Sequence, residues 1–415
     1  MNMKRRGFLG AALAASGFLI PLGRDAWAVS HAGAPADAAR RRLIVVMLRG
    51  AIDGLNVVAP YGDAEYARLR PTIGLDRPGG DNGVIDLDGY FGLHPALADL
   101  QPLWSEGKLA FVHACGSPDP TRSHFDAQDY LETGTPGRRS TPDGWLNRLV
   151  ASLPGSSGPT RAIGIGPVMP RILSGSAPAS TLALATGGRR DDRNARPALS
   201  SAFDQLYADD SRMSRAYRDA KQARQEVSAA LDAEMQMANG GAPLPNGFPG
   251  DAARLAALMR NDPNMQIAFI ALGGWDTHAN QGAARGQLAN RLAPLGRGLL
   301  ALARGLGSSF DDTVIVVMSE FGRTARENGN GGTDHGHGNA MWLLGGRVNG
   351  GKVHADWPGL EGGRLHEGRD LVVSTDFRAV LSQVARQHLR LDDAALERLF
   401  PGAPAPGRAF RLLHA

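Results

Sequence analysis

A chain of 415 residues, 43% hydrophobic and 21% charged, is long and apolar enough to bury a large core, which excludes a disordered or fibrous protein. The formal charge of +4 owes much to the first 28 residues. Without Lys4, Arg5, Arg6, Arg24 and Asp25 it falls to +1, and no Lys/Arg cluster with interleaved aromatics follows, so a nucleic-acid partner is excluded.

At the N-terminus, Lys4-Arg5-Arg6-Gly7-Phe8-Leu9 precedes a mild apolar run, Ala11 to Leu22, and Ala26-Trp27-Ala28 offers the small residues of a cleavage site. This resembles a twin-arginine signal, which implies export in the folded state by the twin-arginine translocase to the periplasm or beyond. An ordinary Sec signal is the alternative. The run is too short and too rich in glycine to span a bilayer, so no permanent membrane span is expected. Residues 29–41 read as a polar linker and 42–412 as one α/β domain, with a helical insertion at about 195–250.

Leu43 to Leu48 is a short apolar run that reads as a buried first strand. Asp53 follows it within Ala51-Ile52-Asp53-Gly54, either as a metal ligand at a strand exit or as an Asp-Gly turn. His94 to Gly107 carries apolar residues at helical spacing, and Lys108 to His113 reads as a second strand, with Cys115 packed beside it in reduced form because one cysteine allows no internal disulfide. Beyond it lie Arg122, Ser123 and His124. Ser123 opens a helical stretch ending at Thr133-Gly134, where a hydroxyl can cap the helix or, facing free backbone N–H groups, serve as a nucleophile.

Short apolar runs at Ala162 to Ile165 and Thr181 to Ala185 read as strands, and Leu199 to about Met237 as a charged helix or helix pair. A helix at Asp251 to Met259 leads to another buried strand, Met265 to Leu272, which exits into Gly273-Gly274-Trp275-Asp276-Thr277-His278. From an extended strand end, Asp276 and His278 can reach one divalent ion, since side chains i and i+2 share a side; the bland reading is a turn Asp beside a surface His. A Leu/Ala-periodic helix, Leu288 to Leu306, then crosses to Thr313 to Met318, a run rich in β-branched residues. That strand delivers Ser319 and Glu320 to the edge where ligands bind in open α/β sheets, and the glycines 329–332 can carry the chain around it to Asp334, His335 and His337. Ala340 to Leu344 reads as a further strand. Ser374 to Phe377 opens a last amphipathic helix through about Leu389.

The stretches LRGAIDGLNVVAPYGD, RSHFDAQDYLETG, GGWDTHANQ, MSEFGRT and TDHGHGNAMWLLGG together resemble the exported bacterial proteins of the DUF1501 family, which are similar to the alkaline phosphatase and sulfatase superfamily. The resemblance implies a doubly wound, mostly parallel sheet with helices on both faces and metal ions at its C-terminal edge. It gives Asp53 the place of the metal-binding acid after the first strand and Ser123 the place of the nucleophile. Asp276 and His278 take one metal site, Glu320 the later acid, and His337, or else His335, the final histidine.

Phe321 departs from the pattern, since many relatives carry His or Asn there. On this reading Asp276, His278 and His337 suit zinc or manganese, whereas at Asp53 and Glu320, with Ser123 and His124 nearby, calcium or magnesium fits as well as zinc, and a single metal in all is equally compatible. The implied activity is metal-dependent hydrolysis of a small or polymeric phosphate or sulfate ester, with Arg122 or Arg323 holding the non-bridging oxygens. Ser123 lacks the Pro-x-Arg context that resembles formylglycine conversion, which favours phosphoryl chemistry. The alternative is a non-catalytic member of the fold that binds a surface polysaccharide or a partner protein.

Overall fold

A computed structural model describes residues 41–155, 158–183, 211, 213–214, 235–404 and 410–414. The stretch expected to be an export signal, all of the expected linker but its last residue and most of the expected helical insertion lie outside the described residues.

The sheet is built from apolar runs whose alternate side chains enter two different cores. In β1 (Arg42–Leu48), Ile44, Val46 and Leu48 join one buried cluster while Leu43, Val45 and Met47 join the other, as the period of two requires. The first cluster is covered by α3 (Phe248–Asn261) and α4 (Gln287–Leu306), the second by α2 (Trp145–Ser152), α5 (Phe377–Gln383) and α6 (Asp393–Leu399). In α4, Leu288, Leu292, Leu295, Leu299, Leu302 and Leu306 recur every three or four residues, and all are buried. The result is a three-layer α/β arrangement.

The remaining strands are β2 (Leu109–Gly116), β3 (Ala162–Ile165), β4 (Ser180–Leu182), β5 (Ile267–Leu272), β6 (Thr313–Ser319), β7 (Asn339–Leu344), β8 (Lys352–His354) and β9 (Thr375–Asp376). They lie in the order β8-β2-β7-β6-β1-β5-β3-β4, with β9 also beside β2. Within this sheet all pairings are parallel except those of β7, which runs antiparallel to both β2 and β6; a separate three-stranded antiparallel sheet is formed by Val58–Ala59, Gly92–Leu93 and Ile85–Asp86. The fold is therefore a doubly wound, mostly parallel sheet.

Two details of register place the site. Leu48 stands opposite both Leu272 and Ser319, so β1, β5 and β6 end level and release Arg49, Gly273 and Glu320 at one height. Because β7 is reversed, its start adjoins the ends of β2 and β6, and the loop carrying His335 and His337 reaches the same edge. Five segments converge there.

Smaller differences from the sequence reading have local causes. Pro95–Leu100 is a 3-10 turn with Leu97 off helical angles, and a regular helix forms only at Gln101–Ser105. The last helix passes from α5 into a wider π-type turn, Val384–His388, and α6 follows it. Among the described residues no helix is long and apolar enough to cross a membrane.

Candidate metal centre

At the carboxyl edge, Asp276 lies at the exit of β5, Glu320 directly after β6, His124 at the start of α1 (His124–Thr133), and His335 in the loop before β7. His124, Asp276 and His335 each present one ligand-type atom within 4.8 Å of the others. His278 joins them, its Nε2 3.0 Å from Asp276 Oδ1 and 3.0 Å from His335 Nε2. His335 Nε2 is also 3.0 Å from His124 Nε2 and 3.3 Å from Asp276 Oδ1. Three imidazole Nε2 atoms therefore meet beside one carboxylate.

The far nitrogen of each ring explains the orientation. His124 Nδ1 donates to Glu320 Oε1 at 2.8 Å, His278 Nδ1 to Asp334 Oδ1 at 3.2 Å, and His335 Nδ1 to the Arg122 carbonyl at 2.9 Å. With the proton held on Nδ1 by an acceptor, the neutral ring exposes a bare Nε2, which is the form that ligates metal. Three rings obey the same rule.

The supporting residues are themselves fixed. Glu320 is fully buried and accepts from the Gly50 N–H at 2.7 Å, from Gln128 at 3.0 Å and from Ser319 Oγ at 3.0 Å. Gly50 has φ +110°, and a Cβ there would stand 2.8 Å from the Asp276 backbone nitrogen, so this turn brings the exits of β1, β5 and β6 together. Phe321 packs its ring 4.8 Å from His124 and 5.2 Å from His335, shielding one side of the cluster with carbon.

Charges are balanced within the cluster. Burial works to raise the Asp276 carboxyl, but hydrogen bonds from His124, His278 and His335, with the nearby Arg323 charge, hold it well below the usual carboxylate range. Burial likewise opposes charge on His124, yet hydrogen bonds to Asp276 and Glu320 prevail and hold its pKa up at about 9, so a cation ligated by its Nε2 must first displace a proton there. His278 is raised against burial chiefly by its hydrogen bond to Asp276. The Asp276 and Glu320 carboxylates thus stay ionised, facing Arg323 and the imidazoles. The His124, His278 and His335 side chains retain 10%, 18% and 16% exposure, so the cluster is reachable from solvent.

The other residues singled out from sequence are placed differently. His337 turns away: its Nε2 donates to the Ser117 carbonyl at 2.9 Å and its ring lies 4.7 Å from that of His366. Of the two alternative histidines, His335 meets Asp276, because Arg323 and His335 pair as a short antiparallel bridge that presents His335 to the cluster. Asp53 is fully buried, with Oδ2 accepting from Arg70 at 2.6 Å and from Gln281 at 2.6 Å. Arg70 completes its own set with the carbonyls of Ala325 and Thr324 and with Asn56 Oδ1. A guanidinium thus stands where the sequence reading placed calcium or magnesium, and Asp53 and Glu320 make their contacts with separate partners.

Ser123 is the exposed N-cap of α1, its Oγ accepting from the Asp126 N–H at a long 3.4 Å. Arg323, fully buried, donates to Asp276 Oδ1 at 2.6 Å and to Thr333. Arg122 is paired with Asp370 and Glu367. Both guanidiniums are already neutralised by the protein. His124 is the cluster member least legible in the sequence, since the neighbouring Ser123 draws the functional interpretation; its position in the first helical turn, facing the strand exits, is the signal.

A family model described as a protein of unknown function, DUF1501, matches residues 40–400. No curated protein matches in sequence. Among solved structures, Ps i-CgsB in complex with k-i-k-neocarrahexaose is similar at 13% identity over 76% of this chain and 68% of that one, with a TM-score of 0.35. The lipoteichoic acid synthase LtaP from Listeria monocytogenes is similar at 10% identity over 78% of this chain and 68% of that one, with a TM-score of 0.35.

Proposed function

The chain belongs to the DUF1501 family, and from that premise we propose that it is an exported, metal-dependent hydrolase of phosphate or sulfate esters. The observation that carries the reading is the convergence of three Nε2 atoms, each with its Nδ1 proton assigned to an acceptor, on the Asp276 carboxylate. This donor set fits a divalent ion of the zinc or manganese kind. His124, Asp276, His278 and His335 would hold it. When bound, such an ion polarises an ester oxygen and favours a deprotonated nucleophile beside it.

The chain's own groups supply the rest. Ser123 is exposed, adjoins His124 and is only loosely engaged as a cap, which leaves its hydroxyl free to attack. Attack would form a bond from Ser123 Oγ to phosphorus or sulfur and break the bond to the alcohol, which departs with the hydroxyl proton. Water then cleaves the seryl ester, restores Ser123 and releases the inorganic oxyanion. Glu320, Asp334 and the Arg122 carbonyl keep the imidazoles aimed, and Phe321 excludes water from one flank.

A second reading, a non-catalytic protein that binds a polysaccharide or a partner, is favoured by the closure of Asp53 against Arg70. The separating experiment is turnover of a panel of phosphate mono- and diesters and sulfate esters, with added Zn²⁺, Mn²⁺, Mg²⁺ or Ca²⁺. Ser123→Asn keeps a good cap, so it should fold and bind metal normally while losing turnover by on the order of 10³. Wild-type protein that holds metal and hydrolyses none of the panel would instead establish the second reading.

A further inference from the structure

Four arginines stand near the cluster, and three of them, Arg323, Arg122 and Arg369, are already paired with carboxylates, Arg369 also donating to the His335 carbonyl. The fourth is Arg291, in the second turn of α4. Its side chain lies over Gly274, two residues before Asp276, with Nε only 3.1 Å from where a Cβ on that glycine would stand. Leu244 meets the same position with its Cδ2 and is 49% exposed, and Arg291 itself is half-buried, so this corner opens to solvent.

What distinguishes Arg291 is the poverty of its partners. Nη1 reaches Gln287 Oε1 at 3.3 Å and Nη2 the Met235 thioether at 3.8 Å, and neither acceptor carries charge. Among the described residues no carboxylate forms an ion pair with it. Burial lowers its pKa from the ordinary arginine value, and Asp276 is the carboxylate whose charge opposes this. Asp276 in turn is occupied by Arg323 and the histidines. Arginines withdrawn from water without a counter-anion are costly and are normally paired.

We propose that Arg291 is the oxyanion-binding residue of this site, its planar fork taking two oxygens of a phosphate or sulfate group at the mouth of the His124, Asp276, His278 and His335 cluster. The fork matches the edge of a tetrahedral oxyanion, which a lysine cannot reproduce. The inference takes the identity of the anion from the hydrolase reading. The existence of an anion site stands on Arg291 itself.

The test is calorimetric titration of metal-loaded full-length protein with inorganic phosphate and, separately, with sulfate. Arg291→Gln should weaken binding of the preferred anion at least about tenfold, and Arg291→Lys should fall between the two, all three proteins carrying equal metal. Equal affinity for both anions in wild type and Arg291→Gln overturns the assignment, as does wild type that binds neither. Anion binding that depends on Arg291 in a protein that hydrolyses no ester sustains the inference while refuting the hydrolase reading. Ester turnover with a KM unchanged by Arg291→Gln does the reverse.

Discussion

Replacing Asp53 by Asn separates two accounts of that residue. As a metal ligand, Asp53 would be missed in metal content, with only a modest effect on the apo fold. The structure predicts the opposite. Asp53 and Arg70 are both fully buried in their side chains, joined at 2.6 Å, and four further hydrogen bonds fix Arg70 to Ala325, Thr324 and Asn56 and Asp53 to Gln281. Removing the carboxylate charge leaves a guanidinium enclosed without an anion, a change that costs about 3–5 kcal/mol.

For a folded unit of this size, the unfolding entropy is about 0.8 kcal/mol/K, so the melting temperature should fall by roughly 5 °C. Metal content should not change. The paired replacement Asp53→Leu with Arg70→Met removes both charges at similar volume and should recover much of the loss. Thermal unfolding with elemental analysis on the same samples reads both quantities. A variant Asp53→Asn that loses its metal but keeps its melting temperature would refute the ion-pair account.

Other consequences can be measured independently. Burial pushes His94, His113 and His388 down to about 4, so each stays neutral in the folded chain while the unfolded chain takes up a proton below about 6.5. Stability should therefore be lost as pH falls from about 6.5 to 4, by about 3 kcal/mol per histidine, and His388→Gln should remove about 1.4 kcal/mol per pH unit from that slope in denaturant titrations; an unchanged slope contradicts the assignment. Gly322→Ala would put a Cβ 1.9 Å from the Gly338 carbonyl oxygen and so pry apart the loops bearing Glu320 and His335, with loss of metal affinity and of about 3 kcal/mol or more of stability; wild-type metal affinity in this variant would count against the geometry. Replacing Arg5-Arg6 with Lys-Lys should leave precursor in the cytoplasm if the twin-arginine translocase reads the guanidinium pair, whereas undiminished export would indicate a Sec signal.

Much of the architecture is legible because buried parallel strands need continuous β-branched or apolar runs, and β1, β5 and β6 carry them: LIVVML, IAFIAL and TVIVVM. The reversal of β7 is not legible, since NAMWLL reads the same in either direction. At the site, Asp276, His278 and Glu320 could be picked out because they follow strands directly. The choice between His335 and His337 could not, because it depends on the bridge between Arg323 and His335, a long-range pairing with no local signature. Asp53 has the sequence position of a ligand, but its partner Arg70 lies in a different local segment, and only the fold brings that guanidinium to it.

The central claim is that His124, Asp276, His278 and His335, and not His337, hold a divalent ion. Elemental analysis of protein purified without chelators, compared with His335→Gln and His337→Gln, addresses it directly. The account predicts about one bound Zn²⁺ or Mn²⁺ per chain in wild type and in His337→Gln, and near-zero metal in His335→Gln. Metal retained by His335→Gln and lost from His337→Gln would contradict it.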